Sequence, residues 1–267
     1  MFITSPITIF NILNSKKIHN SYNMNIFKKF QLGFRMVLNN IRIESGSAYN
    51  VHLAMALKIL ETPPNIFGHV VECGTWKGVS AVNLSLVCKI TKRKLIIFDS
   101  FEGLPKSKVD GFDDIVGKHI GTLDEVKDNI RKYGDIQSCE FVKGWFDKTM
   151  PNYNEPILLA YLDVDLPDSL DICVKNIWSN LTDTGFIFID ESQNLDYCAL
   201  FFSEKWWKKN FHRHPPGLIG AGLGLALGFY YIGPYDEIHL HSTQKPFAGA
   251  YVQKNMSGFW NYYPEEN

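Results

Sequence analysis

The chain has 267 residues, 45% of them hydrophobic and 21% charged, enough for one large α/β domain with a full core. Its 27 basic and 28 acidic residues leave a formal charge of -1. Duplex binding draws on a basic face that neutralises several phosphates, and the Lys and Arg here are scattered, grouped only at Lys28-Lys29 and Lys92-Arg93-Lys94, so no nucleic-acid partner is expected. In chain order, Met1 to Ser15 is apolar without a basic segment ahead of it and reads as an arm rather than a signal peptide. Met24 would serve equally as a downstream start, since no periodic pattern crosses Asn11 to Asn25. Ile26 to Ile43 and Ala48 to Leu60 read as helices, the second with Val51, Met55 and Ile59 on one face and a stop at Thr62-Pro63-Pro64. The expected organisation is an N-terminal arm and helix over 1–47 and one domain over 48–267.

The most informative stretch follows. Val70 to Cys73 is a strand, Gly74 to Gly78 a glycine turn, Val79 to Thr91 a helix, and Leu95 to Asp99 a second strand that ends on an acid. Glycines at a helix N-terminus let backbone approach a ligand, and an acid closing the next strand can take both hydroxyls of a ribose. The dinucleotide fingerprint G-x-G-x-x-G seats a pyrophosphate. Here only Gly74 and Gly78 are present and Glu72 precedes them, an acid that would repel phosphate. S-adenosylmethionine carries no phosphate and has cationic sulfonium and ammonium groups, so it suits an anionic Glu72 better. A nucleotide-dependent oxidoreductase and a non-catalytic cofactor-binding or scaffold protein are the rival readings.

Phe101 to Gly121 is a polar, glycine-containing loop, expected to act as a lid over the substrate. Leu123 to Tyr133 then reads as a helix, Cys139 to Lys143 and Ile157 to Asp163 as strands, Ser169 to Leu181 as a helix and Gly185 to Asp190 as a strand. Strands alternating with helices imply a mostly parallel sheet covered on both faces, with ligands at the carboxyl ends of the strands. Asp99, Asp163 and Asp190 fall at such ends, the last two beside Asp165 and Glu191. Carboxylates converging on one rim repel one another unless a cation neutralises them, and an all-oxygen set favours Mg²⁺ over zinc.

Taken together, Glu72-x-Gly74-x-Trp76-x-Gly78, Asp99-Ser100-Phe101-Glu102-Gly103-Leu104-Pro105, Tyr133-Gly134, Gly144-Trp145-Phe146-x-x-Thr149-x-Pro151, Leu162-Asp163-x-Asp165-Leu166 and Ile189-Asp190-Glu191 resemble the macrocin O-methyltransferase family. The likeness runs in order from about Val70 to Glu191. It implies a Rossmann-like class I methyltransferase fold, an α/β architecture with a mostly parallel seven-stranded sheet and helices on both faces. It also implies Mg²⁺-assisted transfer of a methyl group from S-adenosylmethionine to a hydroxyl of a sugar or other small metabolite. By that resemblance Glu72, Gly74, Thr75 and Gly78 would serve the methionine part of the cofactor, Asp99 the ribose, Ser100 the adenosine edge and Gly144-Trp145-Phe146 the adenine. Asp163, Asp190 and Glu191 match the positions that hold Mg²⁺, with Asp163 as the catalytic base. Two positions depart from the family pattern: Pro167 stands where Tyr is usual, and Glu191 where a second Asp is common.

Past Glu191, Pro215 to Gly228 is glycine-dense and reads as a tightly packed loop leading to a strand at Phe229 to Ile232. The aromatic tail from Phe259 to Tyr263 is expected to pack on the domain or on a partner subunit of a homo-oligomer. His212, His214, His239 and His241 form no zinc pattern and read as surface or satisfied histidines. Five cysteines without a C-x-x-C pair fit a reducing, cytoplasmic setting, and no run approaches the length of a membrane span.

Overall fold

A computed structural model describes residues 15–108, 111, 113–192, 194–219 and 249–255. Its strands are β1 (His69–Cys73), β2 (Leu95–Asp99), β3 (Cys139–Lys143), β4 (Ile157–Leu162), β5 (Leu181–Ile189) and β6 (Ala250–Gln253). The longer helices are α1 (Ile26–Arg42), α2 (Tyr49–Glu61), α3 (Val79–Thr91), α4 (Leu123–Tyr133), α6 (Pro167–Asn180) and α8 (Glu204–Phe211). Two single turns, α5 (Phe146–Thr149) and α7 (Leu195–Cys198), lie between them.

The strands form one sheet in the order β3-β2-β1-β4-β5-β6, parallel except for β6, which runs antiparallel to β5. The described residues thus give six strands where seven are expected; the expected strand Phe229 to Ile232 lies outside them, as do His239, His241 and the aromatic tail. Strand alternation sorts the core into two layers. Val70, Leu159, Tyr161 and Phe188 pack with α1 to α4, while Val71, Cys73, Ala160, Leu162 and Ile187 face α6 and α8. Leu32 and Met36 of α1 belong to the first of these layers. Trp207 of α8 is fully buried and meets Trp178 of α6 edge to face, with centroids 4.6 Å apart.

Register brings the strand ends level. Cys73 pairs with Phe98 on one side and Leu162 on the other, and Leu162 pairs with Ile189. The residues just beyond, Gly74, Asp99, Asp163 and Asp190, therefore stand in one row. The chain leaves β1 toward β2 on one side and reaches β4 only later on the other, and that reversal opens a crevice at the carboxyl ends.

Gly74 has a packing reason as well as a ligand reason for lacking a side chain. Its φ is +80°, and a Cβ would lie 1.9 Å from the Asp163 carbonyl oxygen. Gly74→Ala is expected to cost upwards of about 3 kcal/mol, adding backbone strain to a collision with β4's exit. Urea denaturation showing a loss below about 1 kcal/mol would mean that the two strand exits can separate freely. Pro167 likewise has a local explanation: it occupies the first turn of α6, where its missing N–H costs nothing.

Candidate active site

Asp99 ties two loops together. Its Oδ2 accepts from the Thr75 amide at 2.7 Å and its Oδ1 from the Phe101 amide at 2.7 Å. Burial pushes this carboxyl above its usual range, against the backbone amides of Phe101, Thr75, Trp76 and Ser100. The Asp99 carbonyl accepts the Gly144 amide at 2.9 Å, which brings Gly144-Trp145-Phe146 to the same wall. The Ser100 hydroxyl donates to the Gly103 carbonyl at 3.1 Å and accepts the Glu102 amide at 3.1 Å, closing a tight turn. Gly74, Thr75, Asp99, Ser100 and the Gly144-Trp145-Phe146 wall all line one open cleft.

Glu72 and Gly78, expected at the ligand, lie just off the cleft lining. Gly78 turns the chain at φ +83° into α3, whose start carries no side-chain cap and whose first residues, Val79 and Ser80, face the cleft. Glu72 is fully buried and accepts the Thr75 hydroxyl at 3.1 Å. Burial pushes its carboxyl up to about 8, against the hydroxyls of Ser80 and Thr75. Desolvation thus suppresses the negative charge that the sequence places there.

Stability should depend on pH through this group. Glu72 is raised on folding from 4.5 to about 8, so its neutral form stabilises the fold fully below about pH 4.5, and that contribution is lost as pH rises through about 8. Glu72→Gln is expected to lose less stability than the natural chain between pH 5 and pH 8.5 in urea titrations. Equal losses would mean that Glu72 is already ionised in the folded protein at pH 5.

At the other end of the cleft stand four acids. Carboxylate oxygens of Asp163, Asp165 and Glu191 lie within 4.8 Å of one another. Asp165 takes a place that the sequence assigns to Asp190, although Asp190 also lines the cleft. Asp165 sits at φ +56°, in the left-handed region, and that turn brings its side chain back beside Asp163. Asp190 is held from the side: the Tyr161 hydroxyl donates to its Oδ1 at 2.8 Å, whereas the same hydroxyl is 3.4 Å from Asp163 Oδ2. Burial is the largest cause raising Asp163 and Glu191 well above the carboxylate range, followed for both by the charge of Asp190. Asp190 itself is pushed up to about 6 by burial, with the Tyr161 bond opposing.

The loop from Phe101 to Gly121 contributes both ends to the cleft, through Gly103, Leu104 and Pro105 on one side and His119 on the other. Leu104 and Lys118 are bonded through backbone at 3.1 Å, and Asp168 at the start of α6 accepts the Ser107 hydroxyl at 3.0 Å and the Lys108 amide at 2.6 Å. His119 meets Trp76 edge to face with centroids 5.1 Å apart. Sequence reasoning missed His119 and Ser47 as cleft residues. Neither stands in a motif, and both arrive through loop paths that periodicity does not encode. His212 and His214 are exposed, the latter 2.8 Å from Glu204, away from the cleft.

The macrocin-O-methyltransferase (TylF) family matches over residues 49–214. The 8-demethyl-8-(2,3-dimethoxy-alpha-L-rhamnosyl)-tetracenomycin-C 4'-O-methyltransferase of Streptomyces olivaceus is 30% identical over 144 residues, 49% of this chain and 55% of that protein. The match therefore spans about half the length of that curated relative. Among solved structures, the O-methyltransferase NovP superposes with a TM-score of 0.53 at 17% identity, covering 93% of this chain and 96% of that one.

Proposed function

The chain belongs to the macrocin O-methyltransferase family, and from that premise we propose that it transfers a methyl group from S-adenosylmethionine to a hydroxyl of a sugar or sugar-bearing small metabolite. The observation that carries this reading is one cleft with a glycine turn and a strand-end acid at one end and a cluster of acids at the other. Asp99, Gly74 and Thr75 lie at the first, and Asp163, Asp165, Asp190 and Glu191 at the second. The printed activity of the Streptomyces relative, a rhamnosyl 4'-O-methylation, supports the acceptor class.

The donor sets fit both proposed guests. Two glycines at positive φ beside an uncapped helix start, with an acid at the next strand end, suit a nucleoside that lacks a phosphate. Three carboxylate oxygens within 4.8 Å suit a hard divalent cation, which would offset the burial, and after it the neighbouring negative charges, that raise Asp163 and Glu191. When bound, the cofactor supplies the electrophilic methyl, and Mg²⁺ held by Asp163, Asp165 and Glu191, with Asp190 beside them, would acidify the acceptor hydroxyl. Asp163 then takes the hydroxyl proton as base. The loop ends at Leu104 and His119 wall the cleft and limit water, and the sheet closes its floor.

Calorimetry with S-adenosylhomocysteine tests the class directly. Micromolar binding of S-adenosylhomocysteine, with NAD binding far more weakly, is expected; tighter NAD binding would assign the cleft to an oxidoreductase. Among the described residues no helix is long and apolar enough to cross a membrane.

A further inference from the structure

Asp190 is the end of a buried hydrogen-bond chain that starts far behind the cleft. Asn39 of α1 donates from Nδ2 to Asn83 Oδ1 at 2.9 Å. Asn83 Nδ2 faces the Met36 carbonyl at 3.4 Å and Asn40 Oδ1 at 3.1 Å, acceptors that fix which end of this amide is the nitrogen. The same Nδ2 lies 2.9 Å from His52 Nδ1, so Nδ1 must accept and carries no proton. The neutral ring then holds its proton on Nε2, 2.9 Å from Ser47 Oγ. With one lone pair taken by His52, Ser47 has its own hydrogen free to turn to the Tyr161 hydroxyl, and an interaction of Ser47 that favours the charged form of Tyr161 fits that direction. Tyr161 donates to Asp190 Oδ1 at 2.8 Å.

Asn39, Asn83, His52, Ser47 and Tyr161 are all buried, and every bond in the series donates toward the cleft. His52 also meets the Tyr161 ring edge to face, with centroids 6.3 Å apart. Burial lowers the His52 ring to about 3, so it stays neutral at working pH and its tautomer does not change. A polar network wholly inside an apolar core is costly unless every member is satisfied. An apolar trio at 39, 52 and 83 would pack the same helices without that constraint.

We propose that His52 is a positioning residue: locked as the Nε2–H tautomer, it sets Ser47 and Tyr161 so that the Tyr161 hydroxyl points at Asp190 and fixes how that carboxylate is presented to the acidic cluster. The series from Asn39 to Ser47 and the Tyr161–Asp190 bond stand on geometry, with Ser47 and Tyr161 as the link between them, and the consequence for catalysis rests on the proposed methyl transfer. Outer partners that orient ligating groups typically matter by about 10- to 100-fold in metal affinity or activity.

Nitrogen-15 NMR of the histidine rings in the full chain tests the relay without metal or substrate. His52 is expected to show a protonated Nε2 and a bare Nδ1 at neutral pH, and Tyr161→Phe to shift that Nε2–H resonance although Tyr161 does not bond to His52. An Nδ1–H tautomer, an imidazolium or an unmoved resonance would overturn the proposal. Mn²⁺ titration followed by electron paramagnetic resonance then reads the consequence. Tyr161→Phe is expected to weaken Mn²⁺ about tenfold or more, His52→Phe to weaken it in the same direction, and the double variant to match Tyr161→Phe, because His52 acts through Tyr161. Effects that multiply, or a His52→Phe chain that binds Mn²⁺ unchanged, would overturn it. If His52→Phe does not fold, Ser47→Ala cuts the next link and takes its place. S-adenosylhomocysteine affinity, measured in the same samples, stays constant in Tyr161→Phe and His52→Phe. A natural chain that binds S-adenosylhomocysteine but no Mn²⁺ would refute the metal part of the function and leave the NMR result to decide the relay.

Discussion

Asp99→Ala is expected to weaken S-adenosylhomocysteine binding by on the order of 1 to 3 kcal/mol from lost hydrogen bonds to a charged acceptor alone. The loss has a second component. Asp99 also holds the amides of Thr75 and Phe101, each at 2.7 Å, so its removal slackens the glycine turn and the loop after β2 together. Asp99→Asn separates the two parts: it keeps the volume but turns an NH₂ group toward one of those amides. Both variants should fall well below the natural chain in calorimetry, with Asn retaining part of the affinity. Unchanged affinity in folded Asp99→Ala would remove this residue from the cofactor site and leave it as a loop staple only.

Much of this arrangement is legible in the residues. Apolar runs at Val70, Leu95, Ile157 and Phe186 state the strands because they are buried on both faces, and helix caps and prolines bound the intervening helices. The Asp-x-Asp and Asp-Glu pairs end such runs, so the amino-acid order alone places acids along one rim. Which acids meet is not written there. Asp165 joins Asp163 and Glu191 because the backbone after β4 turns through a left-handed residue, and single-sequence periodicity carries no such information. β6 also escapes notice: Ala250 to Gln253 is short, and it reads as strand only because the open edge of β5 is there to pair with. The neutral state of Glu72 is a burial effect that outweighs the Ser80 and Thr75 hydroxyls, and the order of residues does not show that burial. His52 belongs to the same class, since on sequence it is one polar residue inside an apolar helix face, and only the crossing of α1, α2 and α3 supplies its partners.

The largest effect is expected at Asp163. Asp163→Asn should lower kcat by about 10²- to 10⁴-fold, the range for removing a general base, while melting temperature and S-adenosylhomocysteine affinity stay near those of the natural chain. The asparagine keeps the shape of the side chain and relieves crowding, since Asp163 is raised by burial and then by Asp190, Glu191 and Asp165. A gain in stability is therefore compatible with the loss of turnover, and this combination marks a residue held under strain for chemistry. EDTA should abolish methyl transfer in the natural chain and Mg²⁺ restore it; full activity in chelator would refute the cation and leave Asp163 acting as a base without it. Glu191→Asp probes the geometry further. Glu191, Asp163 and Asp165 reach within 4.8 Å of one another with the longer arm in place, and shortening it withdraws one oxygen by about one methylene. Lost turnover with intact cofactor affinity would show that this longer arm is fitted to the cluster that Asp165 completes, whereas retained turnover would show that the cluster tolerates the shorter reach.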